Sequence, residues 1–191
     1  MRSKISLRKN LLKEIDSPII METHGGKGVL FNACYKDVEY GVVFEKDPKK
    51  SVSLAEQRPT WSVYEIDCVR AIAGGVGSHL AINFFDFDPY GSPWDVISVM
   101  FEKWEYLPSK IALAITDGQR QKAQLKGAWL VKQLQPYVEL YGNEQIHASY
   151  KEVCEELFTG LVEVRGFVIK KWAGYYCGTT MTHFGAILER D

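Results

Sequence analysis

The sequence predicts an α/β protein in which short buried strands alternate with helices around a mostly parallel sheet. Three observations predict it. Short apolar runs recur along the chain and stop at acidic or glycine-rich turns, as strands buried on both faces do. The segments between them carry apolar residues at three-and-four spacing, the period of a helix packed on one side. The chain closes with two β-rich runs joined by a short turn, which read as an antiparallel hairpin.

At 191 residues and 46% hydrophobic, the chain is long enough for one domain, 1–191, with a sizeable core. No apolar run approaches a membrane span, and the polar start MRSKISLRKN lacks the apolar centre of a secretory signal, so a soluble, cytoplasmic protein is expected. The four cysteines, Cys34, Cys68, Cys154 and Cys177, show no metal spacing, and reduced thiols are the expectation. A net charge of -1 argues against a domain that grips duplex nucleic acid through a basic face. In the basic N-terminal segment 1–16, Lys4, Arg8, Lys9 and Lys13 lie among Ile5, Leu7, Leu11 and Leu12, which suits a solvated helix or a frayed end able to touch nucleic-acid phosphates.

The first strand is Ile19 to Glu22, entered through Pro18. It runs into Thr23-His24-Gly25-Gly26-Lys27-Gly28, and helix-compatible residues follow from Val29 to Tyr35. A strand, a glycine-rich turn and a helix open nucleotide-binding sheets, because glycines let the backbone approach a ligand that a Cβ would block. The dinucleotide fingerprint G-x-G-x-x-G fails, since its third position from Gly26 and Gly28 is Phe31. Tyr40 to Phe44 is a second strand ending at Glu45, and Asp47 and Pro48 suit the N-cap and first turn of a helix reaching about Gln57. A carboxylate there, about 20 residues past the glycine loop, either accepts from ribose hydroxyls or faces solvent.

The third strand, Thr60 to Ile66, closes on Asp67, which suits the N-cap of Cys68 to Ala73. Gly74-Gly75-Val76-Gly77 is a turn rather than a phosphate loop, because phosphate loops follow strands. The fourth strand is Leu80 to Phe85, and Asp86 and Asp88 lie at its carboxyl end, where open α/β sheets bind ligands. Pro89, Tyr90, Gly91 and Pro93 then turn the chain. Ser92 and Pro93 cap a helix carrying Val96, Ile97, Val99, Met100 and Trp104; Lys110 to Gly118 is the fifth strand with its loop. A helix is expected over 119–134 and an amphipathic one over Ser149 to about Glu163. The hairpin runs from Gly166 to Tyr176 and from Thr180 to Glu189.

The acid-Pro-aromatic turn in Asp88-Pro89-Tyr90-Gly91-Ser92-Pro93 resembles motif IV of the class I S-adenosylmethionine-dependent methyltransferases, and is most similar to the D-P-F-G-S-P of the tRNA guanine-N2 dimethyltransferase family. Ala114-Ile115-Thr116-Asp117 resembles that family's T-A-T-D at the same place. Glu22, Gly26 and Gly28 resemble the motif I pattern, with His24 standing where its first glycine should be and Gly25 added beside it. The resemblance implies a three-layer α/β sandwich with a seven-stranded, mostly parallel sheet, whose last strand inserts antiparallel beside the fifth.

It also implies S-adenosyl-L-methionine as cofactor. Glu22, Gly25, Gly26 and Gly28 would form its loop, Glu45 and Lys46 would take the ribose side, and Asp67 with the Cys68 N–H would take the adenine. His24 is either a cofactor contact or a space-filling residue. No metal is implied.

The donor's methyl group is already activated, so the protein has mainly to align a nucleophile. The Asp88 carboxylate and the Pro89 carbonyl can hold the hydrogens of a ring-attached amine, and Tyr90 offers a stacking face. Asp86, which alternation puts on the same face, is the second choice of acid. N-methylation of a nucleobase in RNA or DNA is the expectation, with a partner subunit for substrate recognition. A small molecule or protein as substrate, a non-catalytic binding subunit and a nicotinamide-dependent oxidoreductase are the alternatives. As a bare turn, Asp-Pro-Tyr-Gly would need no function.

Overall fold

The computed structural model describes residues 2–125 and 130–191. Seven strands form one sheet in the order β3-β2-β1-β4-β5-β7-β6. The strands are β1 (Ile19–Glu22), β2 (Tyr40–Glu45), β3 (Ser62–Glu65), β4 (Phe84–Phe87), β5 (Lys110–Asp117), β6 (Val168–Cys177) and β7 (Met181–Glu189). The first five are parallel, and β7 lies antiparallel between β5 and β6. The order reverses between β1 and β4, which opens a crevice at their carboxyl ends.

Alternation along the strands sorts the core into two layers. Met21, Phe44, Phe85, Leu113 and Ile115 face α3 (Cys68–Ala73), α4 (Trp94–Lys103) and α8 (Tyr150–Glu163). Ile20, Val43, Phe84, Ala112 and Ala114 face α1 (Arg2–Leu12), a π-helical turn at Phe31–Tyr35 and α2 (Pro48–Gln57). Asp47 caps α2 by accepting from the N–H groups of Lys49 and Lys50, and Pro48 fills its first position, as the sequence predicts.

Three expectations change. The basic N-terminal segment is not a solvated helix: α1 packs on β5 and β7, its Leu7 and Leu11 close over Gly185, and Arg8 is fully buried. The fourth strand begins at Phe84 rather than Leu80, because the Asn83 side chain accepts from the Ile19 N–H at 2.8 Å while Ile82 turns into the core. The segment after the glycine loop is helical over 29–35 as expected, its last five residues, Phe31–Tyr35, forming a π-helical turn. The helix expected over 119–134 stops: α5 covers Arg120–Leu125, a 3-10 turn covers Lys132–Leu134, and 126–129 lie outside the described residues.

Two short helices, α6 (Gln135–Tyr141) and α7 (Asn143–Ala148), lead into α8. Asp117, at the end of β5, ties this layer together. It accepts from Trp94 Nε1 at 2.8 Å, Tyr150 Oη at 2.8 Å and the Gln119 N–H at 2.7 Å. The four cysteines are free thiols. Among the described residues no helix is long and apolar enough to cross a membrane.

Candidate active site

A cleft of about 740 Å³ opens at the carboxyl ends of β1, β2, β3 and β4. Its glycine-loop wall is fixed by backbone bonds: the Gly25 N–H donates to Phe44 O at 3.0 Å and the Gly28 N–H to Gly25 O at 3.0 Å. Gly26, at φ +56, holds a left-handed conformation that favours glycine. A Cβ at Gly25 would stand 2.5 Å from Leu54 and 2.6 Å from Val43, so the loop lies against the sheet only because that atom is missing.

Glu45 faces the cleft from the end of β2. Its carboxylate accepts from the Gly26 N–H at 2.8 Å and the Asp47 N–H at 3.0 Å, coupling the loop to the start of α2. Asp67 caps α3 through Oδ1, accepting from the Arg70 N–H at 3.1 Å, and also lines the cleft beside Ile66 and Cys68. The N-capping and pocket-lining placements coincide in one residue. His24 sits between Thr23 Oγ1 at 2.9 Å from Nδ1 and Cys68 Sγ at 3.6 Å from Nε2. Burial holds its pKa below the ordinary histidine value against the pull of Asp88 and Glu45. Burial also pushes the Cys68 thiol up to about 12, so this dyad is not a thiolate nucleophile.

On the opposite wall stand Asp88, Pro89 and Tyr90. The Gly118 N–H donates to Gly91 O at 2.9 Å, pinning this turn to the loop after β5. Tyr90 is fully exposed at the cleft rim, which leaves its ring face open to a ligand. Asp88 is met by Lys4 of α1, whose Nζ lies 2.5 Å from each carboxylate oxygen. Burial opposes ionisation of Asp88, but Arg8 and Lys4 outweigh it and hold the carboxyl below the usual range.

Of the residues singled out from sequence, Glu22, His24, Gly25, Gly26, Glu45, Lys46, Asp67, Cys68, Asp88, Pro89 and Tyr90 line this one cleft. Two do not. Gly28 shapes the turn behind the lining, where its carbonyl accepts from the Asn32 N–H at 3.0 Å. Asp86 is unavailable as a second acid: it is buried, accepts from Arg8 Nε at 2.7 Å and Nη2 at 2.6 Å, and takes the Tyr35 hydroxyl at 2.6 Å. Glu22 reaches the cleft already committed to an ion pair with Arg58, whose guanidinium lies 4.3 Å from the Phe31 ring centroid. Glu22 and Asp86 are neighbours across β1 and β4, so each buried carboxylate has its own arginine.

Sequence reasoning missed Lys4, Arg8 and Arg58. The one signal for the first two was a lysine and an arginine four residues apart among apolar positions, which puts both on one helix face.

The chain has the class I methyltransferase fold. Its coordinates superpose on those of Trm1 from Pyrococcus horikoshii in complex with S-adenosyl-L-methionine with a TM-score of 0.70 and 14% identity, over 98% of this chain and 54% of that one. Against TYW2 of M. jannaschii in complex with AdoMet the TM-score is 0.59 at 13% identity, over 100% and 78%. Against the plantazolicin methyltransferase BpumL in complex with a desmethylPZN analog and SAH it is 0.60 at 13% identity, over 99% and 84%. This class I methyltransferase fold spans about half the length of the Trm1 chain. No protein-family model and no curated protein matches the sequence.

Proposed function

We propose that this chain is an S-adenosyl-L-methionine-dependent methyltransferase that N-methylates a planar amine, that of a nucleobase in RNA or DNA. The observation that carries the reading is the convergence on one cleft of Gly25, Gly26, Glu45 and Asp67 from three strand ends with Asp88-Pro89-Tyr90 from a fourth. The donor group fits what is there. The loop approaches the sheet where a Cβ would collide, Glu45 keeps acceptor capacity for ribose hydroxyls beyond its two backbone bonds, and Asp67 caps α3 through one oxygen while bordering an apolar wall at Ile66 and Phe44.

When bound, the donor supplies an activated methyl group, and the protein's part is alignment. Asp88 would accept hydrogens of the substrate amine and Pro89, with φ fixed by its ring, would aim a carbonyl at the same group. Tyr90 would stack on the base. Lys4 already occupies the Asp88 carboxylate, so an incoming amine has to share or displace it. The neighbours crystallised with S-adenosylmethionine or its product support the cofactor, and the Trm1 neighbour together with the D-P-Y-G-S-P sequence supports a nucleic-acid substrate.

The deciding experiment measures donor binding by calorimetry and methyl transfer to a total RNA pool for wild type and Asp88→Ala. Transfer should vanish while donor affinity stays within a few-fold. Equal loss of both would remove the catalytic role of Asp88, and no donor binding by wild type would remove the reading as a whole.

A further inference from the structure

We propose that Lys4 is itself a methyl-acceptor site of this protein, an amine built into the cleft in the place a substrate amine would take. The inference rests on the methyltransferase reading above and adds a modification site to it.

The Lys4 Nζ straddles Asp88 at 2.5 Å from both oxygens, and Lys4 and Asp88 line the same cleft as the glycine loop, Glu45 and Asp67. Its position is built by the fold. Arg8, one helical turn further on, donates from Nη1 to the Lys4 carbonyl at 3.3 Å while its Nε and Nη2 grip Asp86. Nη2 also donates to Thr116 Oγ1 at 3.4 Å. A guanidinium with three separate partners fixes the backbone from which Lys4 extends, so the amine is delivered to one place. The other lysines of the cleft are Lys27 of the glycine loop, Lys46 just after β2 and Lys50 of α2, and Lys50 pairs with Asp47 at 3.4 Å instead.

The chemistry balances without another reactant. The Lys4 side chain is 23% exposed, so the proton that must leave its nitrogen has a path to solvent. Arg8 Nη2 lies 3.8 Å from Asp88 Oδ1, so the carboxylate is shared between the two cations. The freed nitrogen lone pair forms the N–C bond to the donor methyl as the S–C bond breaks and its electron pair returns to sulfur. The products are N-methyl-lysine, S-adenosylhomocysteine and one proton. Methylated Lys4 stays cationic and can keep its partner, so the modification leaves the fold intact.

The test uses the purified full chain and S-adenosylmethionine carrying an isotopically labelled methyl, with no other substrate. Peptide mapping by mass spectrometry should find one labelled methyl on Lys4 and none on Lys27, Lys46 or Lys50, and Lys4→Arg should abolish it. A second readout needs no turnover. Lys4→Met removes a cation facing the sulfonium, so calorimetry should show the affinity for S-adenosylmethionine rising relative to neutral S-adenosylhomocysteine, by about threefold or more. Donor bound with Lys4 unlabelled, or label spread over the comparison lysines, overturns this proposal and leaves the methyltransferase reading standing. An unchanged affinity ratio overturns the placement of Lys4 at the methyl. Failure to bind the donor overturns both.

Discussion

Arg8 and Asp86 form a two-pronged ion pair wholly inside the protein, Nε to Oδ2 at 2.7 Å and Nη2 to Oδ1 at 2.6 Å, between residues 78 apart in sequence. It joins the N-terminal helix to the strand that carries the candidate acid two residues later. The helix thereby becomes a wall of the cleft, and Lys4 reaches Asp88 because Arg8 holds Asp86. Fold and site share this contact.

Removing one partner of a buried pair leaves the other charge uncompensated, which costs about 3–5 kcal/mol. Arg8→Met should therefore lower the free energy of unfolding by that amount, read from urea denaturation at neutral pH. Adding Asp86→Asn should recover part of it, since a neutral amide can still accept from Tyr35. A single variant within about 1 kcal/mol of wild type would show that α1 is not anchored this way.

Acid should weaken the same region through His183. This imidazole is 4% exposed on β7, beside Thr116 at 3.1 Å and the Tyr175 ring, with Lys4 and Arg8 from α1 and Asp88 from β4 acting on it. Burial and the two cations press its pKa down to about 4, from 6.5. The unfolded chain binds the proton first, so stability is intact above 6.5 and falls as pH drops toward 4, by roughly 3 kcal/mol in full. His183→Gln should flatten that limb of the stability profile. Asp117 and Glu22 tilt the other way over most of that range, since burial pushes their carboxyls up to about 6 and about 8, and the comparison with the variant isolates His183.

Why some of this was legible follows from where the signals lie. Asp47-Pro48, the apolar run ending at Glu45 and the Asp67 cap are local, and a strand end followed by a capped helix is written within a few residues. That the strands are mostly parallel followed from their alternation with helices, and the antiparallel place of the last strand beside the fifth from the family resemblance. The ion pairs Arg8–Asp86 and Arg58–Glu22 join residues 78 and 36 apart, and apart from the Lys4/Arg8 spacing nothing local marks them, because a buried charge and a solvated one look alike in sequence. Asp86 was misread as available for that reason. The late start of β4 was hidden because Leu80 to Ile82 is as apolar as a strand, and only Asn83, whose side chain accepts where a ladder partner would, marks the change.

The glycine loop separates two kinds of strain. At Gly25 an added Cβ collides with Leu54 and Val43, and at Gly26 it meets nothing within 4 Å but must sit at φ +56. Gly26→Ala should cost about 1 kcal/mol of stability with donor binding weakened modestly. Gly25→Ala should cost more, about 1–3 kcal/mol, and weaken the donor far more by lifting the loop from the sheet. Equal effects in thermal melts and calorimetry would mean that the close approach at Gly25 does not shape the cleft.

Tyr90 offers the cleanest division between fold and function, because a ring with no burial holds nothing together. Its neighbours fix only its backbone: Gly118 approaches the Tyr90 carbonyl so closely that a Cβ there would lie 3.2 Å away. Tyr90→Ala should therefore melt at the wild-type temperature and bind the donor unchanged. If the ring is a platform for a base, affinity for single-stranded RNA should fall by about tenfold, and Tyr90→Phe should restore it, since stacking uses the ring face and not the hydroxyl. Unaltered RNA affinity in Tyr90→Ala, measured by fluorescence anisotropy at fixed salt, would take the stacking role away from this residue and leave the Asp88 carboxylate to account for the acceptor side alone.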